Sequence, residues 1–221
     1  MYKALLLDFD GTLADTLDDV ATCMQATFAA FGQPCPAQSE ILATIGLPLE
    51  IAFCRLRRCE TGAENSDLWA DHYRTQYARN GGARTHLYPD VREGLAQLAG
   101  KGFRSFIVSN KSGSAIESIL DRGGITGSIE KVFAADHVPF KKPDHRLYTE
   151  QIRLEFPELA DDEVLVIGDA ETDLQFARNS RLACCWAAYG YGSRQTCLEL
   201  RPDMVIHSFA DLPAALLNPC I

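Results

Sequence analysis

The sequence predicts an α/β fold, a doubly wound parallel-sheet core with an α-helical segment inserted directly behind its first strand. Three observations lead there. An apolar run, Ala4-Leu5-Leu6-Leu7, stands almost at the start of the 221 residues and reads as a buried parallel strand. Residues 15 to about 82 then carry helical patterning and almost no strand signal. From residue 85 onward short apolar strands alternate with helices, which implies a parallel sheet covered on both faces.

Within the insertion, Asp15 or Thr16 is placed to cap a first helix that runs through Leu17, Val20, Ala21, Met24 and Phe28 and ends at Gly32 and Pro34. Further helices are expected around 38–44, 48–59 and 64–79, the last stopped by Asn80-Gly81-Gly82. The second part should run helix 90–100, strand 103–108, helix 112–122, strand 132–135, helix 144–155 and strand 164–168. Helix 171–179, strand 182–187, a helix near 193–200, strand 204–206 and helix 209–217 complete the expected order. The chain thus divides into a core of residues 1–14 and 83–221 and a helical cap of 15–82. An insertion at that point would sit as a lid over the carboxyl end of the first strand, where ligands bind in such sheets. There is no internal repeat and no low-complexity segment.

Composition narrows the function. Hydrophobic residues at 47% and charged residues at 23% are those of a globular protein with a substantial core. A net charge of -9 argues against nucleic-acid binding, which needs a clustered basic surface. An anionic substrate would then rely on particular lysines or on a metal. The cysteines Cys23, Cys35, Cys54, Cys59, Cys184, Cys185, Cys197 and Cys220 form no CxxC pair and no Cys/His ligand set, so neither zinc nor a redox motif is expected. The early first strand leaves no room for a cleavable leader, and no apolar run has membrane-spanning length. A cytoplasmic protein with no membrane partner, acting as a monomer or homodimer, is the expectation.

The chemistry-bearing residues stand at strand ends. The first strand delivers Asp8-Phe9-Asp10-Gly11-Thr12. Asp8 and Asp10, two residues apart, would point to the same side. Two such carboxylates repel by roughly 4 kcal/mol at about 4 Å for an effective dielectric near 20. A divalent cation, a lysine or protonation of one acid could offset that repulsion. Strand 103–108 ends in Ser109-Asn110-Lys111, which offers a hydroxyl, backbone amides and an amide side chain to an anion. Lys141-Lys142-Pro143 follows the next strand, and strand 164–168 leads into Asp169, with Asp173 in the first turn of the helix beyond. Carboxylates suit a hard cation, while the hydroxyl, amides and lysine suit phosphoryl oxygens.

These four segments resemble, in order, the four motifs of the haloacid dehalogenase superfamily: Asp8-Phe9-Asp10-Gly11-Thr12, Ser109-Asn110, Lys142-Pro143, and Gly168-Asp169 with Asp173. The helical insertion resembles the cap of the subgroup that includes phosphoglycolate phosphatases. Tyr88-Pro89-Asp90-Val91 and Ala188-Tyr189-Gly190-Tyr191-Gly192 look like that branch in particular. The resemblance implies a Mg2+-dependent phosphatase acting on a small phosphorylated metabolite such as 2-phosphoglycolate. Asp8 would be the nucleophile that forms an aspartyl-phosphate, and Asp10 the acid and base. Asp8, the Asp10 carbonyl and Asp169 would hold the metal, with Asp173 either touching it, acting through water, or merely favouring the positive end of its helix. Catalytic roles fall to Asp8, Asp10, Ser109 and Lys142. The expected substrate contacts are Phe9, Ser109, Asn110, Lys142 and, from the start of a cap helix, Gly46.

Departures refine the resemblance. Dehalogenases of the superfamily lack an acid at the place of Asp10, so phosphoryl transfer is favoured. Sugar-phosphate mutases carry a histidine where this chain has Val20, which counts against that alternative. Ala135-Asp136-His137-Val138, Asp144-His145 and Ser180-Arg181-Leu182 differ from the branch and leave the substrate open. Asp8-x-Asp10 and the insertion also set the chain apart from phospho-accepting receiver modules. Lys141, Arg55, Arg57 and Arg58 read as solvated cations, His72, His86, His137, His145 and His207 as ordinary histidines, and Trp186 and Phe176 as core.

Overall fold

The computed structural model describes residues 2–59, 65–80 and 82–217. Strand β1 (Ala4–Leu7) is followed by the two-residue strand β2 (Ala14–Asp15), helices α1 (Leu17–Ala30), α2 (Gln38–Leu42), α3 (Leu49–Arg57) and α4 (Ser66–Asn80), and strand β3 (His86–Leu87). Next come α5 (Val91–Gly100), β4 (Arg104–Val108), α6 (Gly113–Gly123), β5 (Lys131–Phe133), and a π-helical stretch (Leu147–Ile152) continued by α7 (Arg153–Glu155). The chain closes with β6 (Val164–Gly168), α8 (Glu171–Ser180), β7 (Ala183–Ala187), α9 (Arg194–Glu199), β8 (Met204–Ile206) and α10 (Asp211–Leu217). Gly81, part of the expected helix stop, residue 64 at the expected start of that helix, and Cys220 lie outside the described residues.

Six strands form one parallel sheet in the order β5-β4-β1-β6-β7-β8, with β1 paired on both sides, Leu7 to Ile107 and to Ile167. Alternation along the strands makes two cores. Leu5, Leu7, Ile107, Leu165, Ile167, Cys185 and Ala187 pack under α5, α6 and α10. Their neighbours Ala4, Leu6, Phe106, Val108, Val166, Cys184 and Trp186 pack under the Leu147–Ile152 segment, α8 and α9. The strands are buried on both faces, which is why they read as continuous apolar runs. Among the described residues no helix is long and apolar enough to cross a membrane.

Helices α1–α4 share a third core, where Phe28, Phe53, Trp69 and Tyr73 meet, with Phe53 5.7 Å from Trp69 and 6.0 Å from Tyr73 between ring centroids. Arg57 is not simply solvated, since its guanidinium lies 4.5 Å over the Trp69 ring, whereas Arg55 and Arg58 are exposed.

Three local features differ from expectation. Strands β2 and β3 pair antiparallel where the chain leaves and re-enters the core, and elements of two residues carry no readable period. Thr16 is the N-cap of α1, yet its hydroxyl is buried without a hydrogen-bond partner among the described residues; Asp15 Oδ1 accepts the Leu17 N–H at 3.4 Å, and the Tyr191 hydroxyl accepts the N–H groups of Thr16 and Leu17. The expected helix 144–155 begins later and winds with π geometry.

Phe53→Ala removes a ring with no exposed surface and should lower the unfolding free energy by about 3–5 kcal/mol. Urea midpoints at constant slope measure this, and a loss below about 1 kcal/mol would contradict tight packing among α1–α4.

Candidate active site

Asp8 extends β1 by one residue, its N–H bonded to Ile167 O at 2.8 Å, and the chain then turns sharply. The Phe9 carbonyl accepts the N–H groups of Leu13 and Ala14, both at 3.0 Å. Gly11 makes this turn possible: its φ is +85°, and a Cβ there would lie 2.4 Å from Asp169 Oδ2. Strand alternation therefore runs through Phe9, which joins Leu5 and Leu7 in one core, and stops there. Asp8 and Asp10 still border one cavity, but each meets its own lysine. Phe9 does not serve the site through its side chain, because its ring is fully buried in the sheet core.

The buried centre is a lysine between two acids. Lys142 Nζ lies 2.7 Å from Asp8 Oδ1 and 2.6 Å from Asp173 Oδ1. The other Asp173 oxygen accepts the Ala170 N–H at 3.0 Å, so this acid both caps α8 and holds the lysine. Gly168 lets it approach, since a Cβ at that position would lie 2.2 Å from Asp173 Cγ. Asp169 is held differently, by the Thr12 hydroxyl at 2.9 Å and the Tyr191 N–H at 2.7 Å. Its carbonyl accepts the Trp186 indole N–H at 2.8 Å, so Trp186 does more than fill the core.

The loop after β4 is positioned from both sides. The Asn110 side chain donates to Gly46 O at 2.9 Å and to Lys142 O at 3.1 Å, and accepts the Lys142 N–H at 3.1 Å. Its side-chain amide is thereby committed to the protein, which corrects the expectation that it serves an anion. Gly46 enters the site through its carbonyl and as part of the cavity wall. Ser109 is buried, borders the cavity, and accepts the Lys111 N–H at 3.4 Å.

Lys111 carried no assigned role in the sequence, although it directly follows Ser109-Asn110. Its Nζ is 3.0 Å from Asp10 Oδ1 and 4.3 Å from the Tyr77 ring centroid on α4. Lys141 is likewise no mere solvated neighbour: it pairs at 3.5 Å with Glu50 of α3, which also binds Arg74 of α4 at 2.8 Å. A cavity of about 520 Å³ lies between these helices and the strand ends, bordered by Val20, Tyr73 and Tyr77 on one side and Asp8, Asp10 and Lys111 on the other.

Electrostatics mark the same centre. Burial, and then the charge of Asp173, push Asp8 up from 3.8 to about 7 against the pull of Lys142. Burial, Asp173 and Asp8 hold Asp169 well above the usual carboxylate range. Burial alone would lower the Lys142 ammonium, but Asp173 and Asp8 more than offset it and raise it. Oxygen atoms of Asp8, Asp169 and Asp173 lie within 4.8 Å of one another, and Asp8 Oδ2 is buried with no hydrogen-bond partner among the described residues. With all three carboxylates ionised, one ammonium would leave a double negative charge uncompensated. An all-oxygen donor set with that charge fits a hard divalent cation. Among the described residues no histidine joins such a cluster.

Residues 5–187 match the haloacid dehalogenase-like hydrolase family. The chain is 31% identical over 214 residues to a phosphoglycolate phosphatase of Nitrosococcus oceani, covering 95% of this chain and 94% of that protein. It is 28% identical over 217 residues to a phosphoglycolate phosphatase of Vibrio parahaemolyticus, again covering 95% and 94%. The solved structure of a Bacteroides fragilis protein described as a haloacid dehalogenase-like hydrolase superposes with a TM-score of 0.88 at 26% identity, covering 96% of this chain and all of the other. Coverage this complete includes the helices between the first two site segments as well as the sheet.

The raised Asp8 makes a pH prediction for protein stripped of divalent cations. The folded state holds this proton more tightly than the unfolded chain does, so its contribution to stability is full below pH 3.8 and is lost as pH rises toward about 7. Over that window the chelated protein should lose stability relative to Asp8→Asn, on the order of a few kcal/mol. Urea melts across the range measure it, and parallel pH curves for the two proteins would refute it.

Proposed function

The chain belongs to the haloacid dehalogenase-like hydrolase family and is a phosphatase, and we propose that it hydrolyses a small phosphorylated metabolite of the 2-phosphoglycolate kind with the help of Mg2+. The observation that carries this reading is the state of Asp8: one oxygen is pinned by Lys142 while the other is buried and free of protein partners. That is the arrangement a carboxylate nucleophile requires.

In this reading Asp8 Oδ2 attacks phosphorus, the P–O bond to the alcohol breaks, and an aspartyl-phosphate forms. Asp10 gives its proton to the departing oxygen and later takes one from the water that cleaves the acyl phosphate. Lys111 keeps the Asp10 carboxyl group oriented toward the cavity. The Ser109 hydroxyl and the main-chain N–H of Asn110 donate to phosphoryl oxygens as they gain charge, and Lys142 offsets charge on Asp8. Magnesium, held by the Asp8 and Asp169 carboxylates and the Asp10 carbonyl with Asp173 behind them, would screen nucleophile and phosphoryl group from each other. Helices α1–α4 act as a cap, residues 15–82 over a core of 1–14 and 83–221, and exclude water from the reacting groups.

The cavity size suits a metabolite rather than a polymer. Val20 borders it without a proton-carrying group where mutases of the superfamily have histidine, which supports hydrolysis over phosphoryl return to a sugar. The phosphoglycolate phosphatases among the relatives support the choice of substrate.

A panel of phosphate esters, assayed for phosphate release with magnesium and with chelator, tests the reading. Release should be metal-dependent and greatest for 2-phosphoglycolate. A preference for another ester would reassign the substrate, and no release from any ester would end the proposal. Asp8→Asn should abolish turnover. Asp10→Asn should slow it by about a hundredfold or more on esters with poor leaving groups, and an unchanged rate would remove Asp10 from its role.

A further inference from the structure

Tyr191 touches two parts of the molecule through different atoms. Its main-chain N–H donates to Asp169 Oδ2 at 2.7 Å. Its phenol accepts the N–H groups of Thr16 at 2.7 Å and Leu17 at 3.1 Å, and donates to Asp15 Oδ1 at 2.7 Å. Thr16 and Leu17 begin α1, and Asp15 ends β2, one of the two crossings between the sheet and helices α1–α4. The phenol therefore accepts two N–H groups at the helix start, of which that of Leu17 also reaches Asp15 Oδ1 at 3.4 Å. The second crossing follows the first, because Asp19 of α1 accepts the Thr85 hydroxyl at 2.7 Å and the Arg84 N–H at 3.0 Å.

The backbone around Tyr191 has no slack. A Cβ at Gly190 would lie 2.3 Å from Asp169 Cβ, and one at Gly192 would lie 2.1 Å from Asp169 O. Tyr189 donates to Thr12 O at 2.7 Å, and the Thr12 hydroxyl holds the other Asp169 oxygen. Wherever Asp169 sits, residues 189–192 must follow.

Resting on the reading of Asp8, Asp169 and Asp173 as a divalent-cation site, we propose that Tyr191 is a positioning residue that couples occupancy of that site to the hinge of the helical cap. Without a cation Asp169 is held only through the Thr12 hydroxyl and the Tyr191 N–H, and the grip of the phenol on α1 is looser. A cation that fixes Asp169 fixes the Tyr191 backbone, and the phenol then anchors the first turn of α1. Coupling of this kind is reciprocal, so a hinge held in place strengthens cation binding by the same factor.

Amide hydrogen exchange of the full chain, followed residue by residue without substrate, tests the coupling, with magnesium chloride or chelator as the only variable. In the native chain magnesium should slow exchange at Thr16 and Leu17 by about tenfold, while the amides of β4 stay unchanged. Tyr191→Phe keeps the N–H that holds Asp169 and should still bind magnesium by calorimetry, but the gain at Thr16 and Leu17 should vanish. If that variant fails to fold, Asp15→Ala, which removes the acceptor that orients the phenol, should show the same loss at Thr16, the amide to read because Leu17 N–H also reaches Asp15 Oδ1 directly. Magnesium binding with no change at those amides in the native chain, or a full gain in either folded variant, would overturn the coupling while leaving the cation reading intact. No magnesium binding by the native chain would overturn both.

Discussion

The Lys142 ammonium lodged between Asp8 and Asp173 is the interaction on which the rest of the site depends. A buried carboxylate without a partner would neutralise by taking a proton, and a buried lysine by losing one. Joined, the lysine stays charged and draws Asp8 down from where burial and Asp173 would put it, and Lys142 leaves one Asp8 oxygen free. The lysine is itself placed from outside the pair: Asn110 clasps its N–H and carbonyl, and Asp173 reaches it only because residue 168 is glycine. Asn110 in turn reaches Gly46, so the contact that sets the lysine also joins the strand ends to the helices above.

A second constraint is crowding around Asp169. Gly11, Gly190 and Gly192 all approach it within distances no side chain could occupy. The cost of ordering glycine is accepted there because backbone must close around a carboxylate from three directions. Thr12, Tyr191 and Trp186 then provide donors to its side chain and carbonyl. So enclosed, Asp169 is buried with oxygen atoms of Asp8 and Asp173 within 4.8 Å, and burial is what sets these three carboxylates apart from a surface cluster.

Charge is balanced by two separate lysines. Asp8 and Asp10 looked in the sequence like one repelling pair in need of one counter-charge. The turn at Phe9–Ala14 hands each to a different cation, Lys142 from the loop after β5 and Lys111 from the loop after β4. Tyr77 of α4 lies over Lys111 and withdraws it from water, so the helical layer contributes to the electrostatics of Asp10 as well as to the cavity wall.

The amino-acid sequence by itself determined the parallel sheet, the position of the helical insertion, and the candidate site residues Asp8, Asp10, Ser109, Lys142, Asp169 and Asp173. Those follow from local rules: apolar runs mark buried strands, and polar, charge-bearing side chains gather in the segments that follow the strand ends. Tertiary structure alone decided which groups meet. The Lys111 pairing with Asp10, the Tyr191 phenol at the start of α1, the Trp186 indole on Asp169 and the committed Asn110 amide join residues far apart in the chain, and no periodicity encodes such a meeting. Phe9 went into the core for the complementary reason: the strand's alternation still governs the residue after Asp8, even though its neighbours are part of the site. Local pattern sets which way a side chain leaves its own element, whereas the partner it finds depends on how distant elements pack.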